Sequence, residues 1–463
     1  MSEPTTVSGT PQIGLQIGTT TVQADYASGS GSTDLLFVYV IQAGQTDLDG
    51  IGIDADSLTL NNGSLTDTAG NNSNATLTHT AVMANSSYKV DTTAPTASSV
   101  AISSATNIQS GILNAGDSLT VTVTMSEPTT VSGTPQIGLQ IGNTTVQADY
   151  ASGSGSTDLL FVYMIQTGQT DPDGISIDAD SLTLNNGSLT DTAGNNSTLT
   201  HIAVVANSSY KVDTTAPTIS SVAAGWGPSL NATEDDSVGT VAVVTSGVEN
   251  GQTVTIVLNG TNYTGTISNN STSVAIAAAD LQALINGSNY TLKTNVSDVA
   301  GNVATENTAT SFSVDTTAPT VSSISISSAI NTQSGILNAG DSVTVTSTMS
   351  EPTTVSGTPQ ISLQIGSTTV QADYASGSGS TDLLFVYVIQ AGQTDPDGIS
   401  IDADSLTFNN GSLTDTAGNN ATLTHTAVVA NNSYKIDTTG PTVSSVAISS
   451  ATNIQSGILN AGD

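Results

Sequence analysis

Apolar and polar residues alternate along many short segments of the chain. In residues 118–124 (SLTVTVT) and 253–258 (TVTIVL), one face is apolar and the other carries hydroxyl groups, which is typical of half-buried β-strands. Turn dipeptides such as Asn259-Gly260 separate these segments. Residues 34–42 are apolar on both faces, so we predict a central strand covered on both sides. A helical turn is predicted only in residues 277–287.

The chain is built from repeated sequence. The phrase DTTAPT begins at Asp91, Asp213 and Asp315, and DTTGPT begins at Asp437. The first and last intervals between these phrases share one unit, the long repeat, whereas the middle interval is a different sequence with the same ends, the short repeat. Roughly seven short strands per repeat, arranged head to tail, predict an all-β fold of tandem Ig-like β-sandwiches in an elongated array.

The repeats divide the chain into five predicted segments. Met1 aligns with the interior residues Met125 and Met349, so we expect the first long repeat to lack its first two strands. The tail repeats only the start of a further unit, which indicates a slice through a longer array. We expect such ends to associate head to tail by strand donation. The segments are a truncated long repeat (1–93), a long repeat (94–215), the short repeat (216–317), a long repeat (318–439) and a truncated repeat (440–463).

Composition restricts the classes of function. The chain has 463 residues, only four of them basic, and a formal net charge of −34. Nucleic acid and anionic membranes are excluded as partners because phosphate would find no counter-charge, whereas divalent cations are attracted. The absence of cysteine excludes disulfides and thiolate chemistry. No apolar run reaches the ~20 residues of a membrane helix, and no signal-peptide pattern follows Met1.

Strand parity predicts that acidic residues distant in sequence meet at the ends of the sandwiches. If successive strands run up and down, the loop after the second strand and the loop before the last strand lie beside the linker Asp. Clustered carboxylates need raised pKa values or a cation between them, and calcium takes six to eight oxygens from carboxylates, carbonyls and water. We predict calcium at each junction, with local turns as the alternative for any single Asp. The predicted ligands are Asp91, Glu127 and Asp191; Asp213, Glu249 and Asp298; and Asp315, Glu351 and Asp415.

A second acidic group recurs in each long repeat. Its D-x-D-G start resembles a calcium loop, but the Glu at the last loop position is missing, so we favour a turn that leads into a strand. The group comprises Asp47, Asp49, Asp54 and Asp56, with counterparts in 171–180 and 395–404.

No catalytic pattern is present, and we predict that the chain is not an enzyme. It has no G-x-S-x-G, no H-E-x-x-H and no Gly-rich phosphate loop. The three histidines, His79, His201 and His425, each occur once per long repeat in the phrase TLTH, apart from other histidines. We interpret them as strand histidines whose ring nitrogens are hydrogen-bonded or face solvent.

The linker phrases, the D-x-A-G-N phrases at Asp67, Asp191 and Asp415, and residues 279–302 resemble the bacterial immunoglobulin-like tandem repeats of large surface and biofilm adhesins. The resemblance covers essentially the whole chain. It implies a non-catalytic extender region of a secreted or cell-surface adhesin, stiffened by calcium at domain junctions and located outside the cell. Other copies or cell-surface ligands would bind through regions outside this fragment. The alternatives are glycan- or protein-binding modules, or accessory repeats of a larger extracellular enzyme.

Overall fold

The computed structural model describes residues 1–72, 77–452 and 456–462. Residues 453–455 and 463 of the predicted last segment lie outside the described residues. The chain divides into two compact units, Met1–Pro217 with Ser297–Val303, and Thr218–Val296 with Ala304–Asp463. Each unit is larger than one repeat, so the division into five segments stays a prediction.

Regular structure in the described ranges is almost entirely β-strand, which confirms the predicted all-β class. The single α-helix of these ranges, α1 (Ala278–Gln282), lies where the sequence predicts a helical turn. Two short 3-10 turns, η1 (Ser208–Tyr210) and η2 (Asn432–Tyr434), precede the last strands of two long repeats.

The first long repeat forms three small sheets. Its strands are β1 (Thr6–Ser8), β2 (Gln12–Ile17), β3 (Thr20–Ser28), β4 (Leu36–Val38), β5 (Thr46–Asp47), β6 (Leu58–Thr59), β7 (Ser64–Thr66) and β8 (Val90–Asp91). The sheets have the orders β4-β3-β2-β6, β1-β7 and β5-β8. The strand predicted in 34–42 shrinks to β4 at a sheet edge, where Leu36 is 58% exposed. The prediction of a covered central strand is therefore wrong here, because no strand pairs with the outer edge of β4 within the described residues.

The second long repeat forms a two-sheet sandwich. A seven-stranded sheet has the order β16-β12-β13-β14-β11-β17, with β9 also paired to β11, and faces the sheet β10-β18-β15. The alternating residues Leu119, Val121 and Val123 of β11 lie in the core between them. The strands are β9 (Ala97–Ala105), β10 (Ile112–Leu113), β11 (Ser118–Ser132), β12 (Gln136–Ile141), β13 (Thr144–Ser152), β14 (Ser156–Met164), β15 (Thr170–Asp171), β16 (Leu182–Thr183), β17 (Ser188–Thr190) and β18 (Lys211–Asp213).

Strand β14 is central, as predicted for its repeat position, but it is covered on one face only. Leu159 and Phe161 are fully buried, whereas Met164 on the opposite face is 56% exposed. The apolar residues of both faces therefore do not indicate two covering layers.

Strand β11 passes from one pairing to another. Residues 118–124 pair with β14, and after a register shift between Thr124 and Thr129 residues 130–132 pair with β17. Glu127 lies in this irregular stretch, which the sequence places in or beside a loop. The prediction of a loop is corrected to a kinked continuous strand, because both ends of the segment retain partners.

The short repeat is a sandwich of sheets β19-β21-β24 and β20-β26-β25-β22-β23. Trp226 packs edge-on against Phe312 in its core, with ring centroids 5.1 Å apart. The strands are β19 (Thr218–Ala224), β20 (Ser229–Leu230), β21 (Gly239–Ser246), β22 (Thr253–Leu258), β23 (Thr261–Thr266), β24 (Ser271–Ile276), β25 (Asn289–Val296) and β26 (Asn307–Val314).

The third long repeat has the topology of the second. Its sheets are β27-β29-β32-β31-β30-β34, with β35 on β29, and β28-β36-β33. The strands are β27 (Val321–Ile330), β28 (Ile336–Leu337), β29 (Ser342–Ser356), β30 (Gln360–Ile365), β31 (Thr368–Ser376), β32 (Ser380–Val388), β33 (Thr394–Asp395), β34 (Leu406–Thr407), β35 (Ser412–Thr414) and β36 (Lys435–Asp437).

Candidate metal centres

The linker Asp residues are held by local turns. The carboxylate of Asp91 accepts the backbone N–H of Thr93 at 3.0 Å, and the carboxylate of Asp315 accepts that of Thr317 at 3.1 Å. These are the turns that Asp forms with the backbone two residues later. Each turn uses one carboxylate oxygen and leaves the other available for a further contact.

The D-x-A-G-N phrase forms a second kind of turn after β17. The carboxylate of Asp191 accepts the backbone N–H of Asn195 at 2.8 Å and its side-chain amide at 2.7 Å. Gly194 has a φ of +93°, a conformation that glycine adopts without steric cost. Burial raises the pKa of Asp191, but the hydrogen bonds from Asn195, Gly194 and Ala193 together outweigh it and hold the pKa below its ordinary value.

In the first unit, three predicted ligands from separate parts of the sequence meet. Asp91, Glu127 and Asp191 each offer a carboxylate oxygen, and these oxygens lie within 4.8 Å of one another. We call this group the first triad. Burial raises the pKa of Glu127, and the negative charges of Asp91 and Asp191 raise it further.

The second unit repeats the arrangement. Asp315, Glu351 and Asp415, the second triad, also bring three carboxylate oxygens within 4.8 Å. Burial raises the pKa of Glu351, with additional contributions from the charges of Asp315 and Asp415. Each triad therefore concentrates the negative charge of three carboxylates at one place.

The middle predicted group is only partly brought together. Asn302 donates its side-chain amide to the backbone carbonyl of Asp213 and to the carboxylate of Asp298, both at 2.9 Å. Glu249 belongs to the other compact unit. The metal site at Asp213, Glu249 and Asp298 therefore stays a prediction.

The asparagine of the D-x-A-G-N phrase is a residue whose role sequence reasoning missed. Asn195 donates to the backbone carbonyl of Asp91 at 3.0 Å, and Asn419 donates to that of Asp315 at 2.8 Å. The signal was its recurrence at the fifth position of the phrase in each of the four repeats that contain it. This asparagine joins the turn to the linker.

The second acidic group has structural roles. The buried carboxylate of Asp171 accepts the N–H of Gly174 at 2.9 Å, and Asp47 and Asp395 do the same in their repeats. Asp178 accepts the side-chain amide of Gln140 at 2.5 Å. These contacts are those of the turn that the sequence favours for this segment.

The histidines are hydrogen-bonded through both ring nitrogens. In His201, Nε2 accepts the backbone N–H of Ser181 at 3.0 Å, and Nδ1 lies 2.9 Å from the carbonyl oxygen of Ile202. Because an amide N–H only donates, Nε2 is unprotonated and Nδ1 carries the hydrogen. His79 and His425 have the same contacts, which agrees with the interpretation as hydrogen-bonded strand histidines.

The fold and these groups define tandem β-sandwich repeats that carry clustered carboxylates beside their linkers. No family model matches the chain, and no curated protein matches it. Solved structures do match. A Ca²⁺-stabilized adhesin with which an Antarctic bacterium binds ice is 19% identical, with 93% of this chain and 91% of that chain covered and a TM-score of 0.38.

Two further matches are of a similar kind. A 1.5-MDa bacterial ice-binding adhesin is 19% identical over 74% of this chain and 98% of that chain, with a TM-score of 0.32. A tetra-tandem repeat from the extending region of a large adhesion protein is 14% identical over 92% of each chain, with a TM-score of 0.27. Adhesin repeats are the class that the sequence resembles. In the described part of the chain, no helix is long and apolar enough to span a membrane.

Proposed function

We propose that this chain is a non-catalytic extender region of a bacterial secreted or cell-surface adhesin, stiffened by calcium at its linkers. The observation that carries the proposal is the convergence of Asp91, Glu127 and Asp191 within 4.8 Å, repeated by Asp315, Glu351 and Asp415. Glycan binding has less support. Sugar recognition uses exposed aromatic rings, and Tyr88 is the one exposed aromatic residue in the described ranges.

The donor set of the triads fits calcium. All three ligands of each triad are carboxylates, the hard oxygen donors that calcium prefers. Burial and the neighbouring acids raise the pKa values of Glu127 and Glu351, which favours a compensating positive charge beside the ionised glutamates. Magnesium fits less well, because it requires a tight octahedron and retains its water. Sulfur and nitrogen ligands, which would favour zinc, are absent from both triads.

The residues of each triad have distinct tasks in this proposal. The linker Asp and the D-x-A-G-N Asp are oriented by their turns, and Glu127 or Glu351 reaches them from a kinked strand. Bound calcium supplies the positive charge that offsets the carboxylate repulsion. Three chain segments are then held at one point, and the linker between consecutive repeats loses rotational freedom.

The expected affinity suits an extracellular location. Extracellular calcium modules bind with a Kd of roughly 10⁻⁴ to 10⁻³ M, so the triads would fill outside the cell and stay unfilled in the cytosol. A net charge of −34 keeps such a chain soluble and attracts cations.

The test compares the full chain in calcium and in EGTA. At calcium about ten times the Kd, each occupied site stabilises the folded state by about 1.4 kcal/mol, so Tm rises. Small-angle scattering in EGTA should show a shorter and more flexible particle. Magnesium at the same concentration is the control and should produce a smaller effect. If neither Tm nor the scattering curve responds to calcium, the proposal is wrong.

A further inference from the structure

A second set of contacts joins the D-x-A-G-N loops to a chain segment other than the linker. In the first unit, the side-chain amide of Asn114 donates to the backbone carbonyl of Ala300 at 2.8 Å, across 186 residues of sequence. Asn114 follows β10 in the phrase ILNAGD. Ala300 is the central residue of the loop that begins at Asp298, and it is fully buried.

The second unit contains the same contact in a different sequence. Asn231, in the phrase SLNATE, donates its side-chain amide to the carbonyl of Ala417 at 3.0 Å, again across 186 residues. Here a second bond runs in the same direction, because the backbone N–H of Ala232 donates to the side-chain oxygen of Asn419 at 2.9 Å. Long and short repeats thus share an L-N-A phrase whose asparagine contacts the same loop atom.

Side chains of the contacting segments lie very close to the glycine of each D-x-A-G-N loop. A methyl group added at Gly301 would lie 2.1 Å from Nε2 of Gln109, and one added at Gly418 would lie 3.2 Å from Nδ2 of Asn231. Both glycines also have a positive φ, +87° and +97°. Their missing side chains therefore serve the turn and the approach of the contacting residues together.

We propose that the asparagine of the L-N-A phrase is a latch that recognises D-x-A-G-N loops by hydrogen bonding and needs no cation. Its partner is the alanine carbonyl of the loop, which belongs to a buried residue in the first unit and to a half-buried one in the second. Together with the bond from the loop asparagine to the linker, this bond holds the loop to two other chain segments before any metal binds. This latch is independent of the calcium proposal, because none of its atoms belongs to a carboxylate.

The third long repeat provides a matched control. Asn338 occupies the same L-N-A position, but it is exposed, and its side-chain amide has no hydrogen-bond partner in the part of the chain that the structure describes. Removal of this amide should therefore leave both loops unchanged.

The experiment is hydrogen exchange of the full chain in EGTA, read in peptides that cover 297–303 and 415–419. Loss of one hydrogen bond corresponds to roughly a 2- to 10-fold faster exchange. Asn114→Ala should accelerate hydrogen exchange only in the first loop (297–303), and Asn231→Ala should accelerate it only in the second loop (415–419). Asn338→Ala should accelerate neither. Asn231→Asp is the finer variant, because its carboxylate still accepts the backbone N–H groups of Thr233 and Glu234 but cannot donate to Ala417.

Each outcome decides the inference. Loop-specific acceleration in EGTA supports the latch, whatever the response to calcium. Unchanged exchange in both loops overturns it, as does equal acceleration by Asn338→Ala. If Asn231→Ala disturbs folding, as judged by near-UV circular dichroism, the hydrogen exchange of Asn231→Asp in the second loop decides the question. Protection that develops only after calcium is added would also overturn the latch while leaving the proposed function intact.

Discussion

The side-chain amide of Asn419 donates to the backbone carbonyl of Asp315, 104 residues earlier in the chain, at 2.8 Å. The same amide also donates to the carboxylate of Asp415 at 2.7 Å. One asparagine therefore positions two members of the second triad relative to each other. Because Asn419 is 4% exposed, these bonds are shielded from competing water and contribute more than surface hydrogen bonds would.

Replacement of Asn195 should lower the free energy of unfolding at neutral pH and change how this free energy depends on pH in the acid range. Hydrogen bonds from Asn195 lower the pKa of Asp191, so the unfolded state binds a proton more readily than the folded state. This stabilisation is present above the ordinary pKa of 3.8 and is lost as pH falls through the folded-state pKa. Asn195→Ala should reduce the free energy of unfolding at neutral pH by about 1–2 kcal/mol.

Urea unfolding at a series of pH values tests this prediction. The difference in the free energy of unfolding between wild type and Asn195→Ala should become smaller at pH values below the ordinary pKa of Asp191. A constant difference at all pH values would mean that the asparagine acts through packing alone.

In EGTA, Glu127 and Glu351 should make the stability of the protein depend on pH in the direction opposite to that produced by Asp191. Burial and the neighbouring acids raise the pKa of Glu127 and Glu351 above the ordinary value of 4.5. The folded state then binds protons more readily, so stability rises as pH falls through the raised pKa and is lowest above it. A Glu127→Gln, Glu351→Gln double variant should remove this slope. It should also stabilise the calcium-free protein at neutral pH by up to about 1 kcal/mol per site.

Thermal unfolding from pH 7 down to pH 4.5 measures this slope. Calcium should abolish the slope in wild type and have little effect on the double variant. If the double variant had the same dependence of Tm on pH as wild type, the carboxylates within each triad would not repel one another.

Calcium stoichiometry should depend on one linker Asp and not on its counterpart. Asp315 belongs to the second triad, whereas Asp437 has the same phrase and the same turn, with its carboxylate 2.9 Å from the N–H of Thr439. Within the described residues, Asp437 does not belong to a cluster of three carboxylates. Asp315→Asn should remove one bound calcium in titration calorimetry, because asparagine keeps the turn but lowers the charge of the site. Asp437→Asn should bind as wild type does, and loss of a calcium from both variants would contradict the site assignment.

Replacement of His201 should destabilise the second long repeat. Without the imidazole, the backbone N–H of Ser181 loses its acceptor in a partly buried place, at a cost of about 1–3 kcal/mol. His201→Ala should lower the free energy of unfolding by this amount in urea titration. The ¹⁵N chemical shifts of the ring at neutral pH should show a proton on Nδ1. A proton on Nε2 would contradict the assigned hydrogen bond.

Much of the fold follows from period-2 patterns and repeats. Alternation in residues 118–124 predicted a half-buried strand, and Leu119, Val121 and Val123 are buried accordingly. The convergence of Asp91 with Glu127 and Asp191 followed from parity alone, since an even number of strand reversals returns the chain to the same end. That reasoning needs no side-chain detail.

Features that depend on local geometry could not be predicted in this way. The kink that places Glu127 within β11 arises from a register shift, and single-strand patterns contain no information about partners. The roles of Asn195 and Asn114 depend on contacts across about a hundred residues or more. Composition favours asparagine in turns for local reasons, which concealed its long-range contacts.

The parallel pairing of Ile112–Leu113 with Lys211–Val212 has a mechanical consequence. These strands stand near the beginning and the end of one repeat, so tension on the chain pulls them in opposite directions along their common axis. Their hydrogen bonds are then loaded in shear and must break together instead of opening one at a time. The same parallel pairing joins Ile336–Leu337 to Lys435–Ile436 and, in the short repeat, Ser229–Leu230 to Ser313–Val314. Single-molecule pulling should therefore reveal three unfolding events of similarly high force.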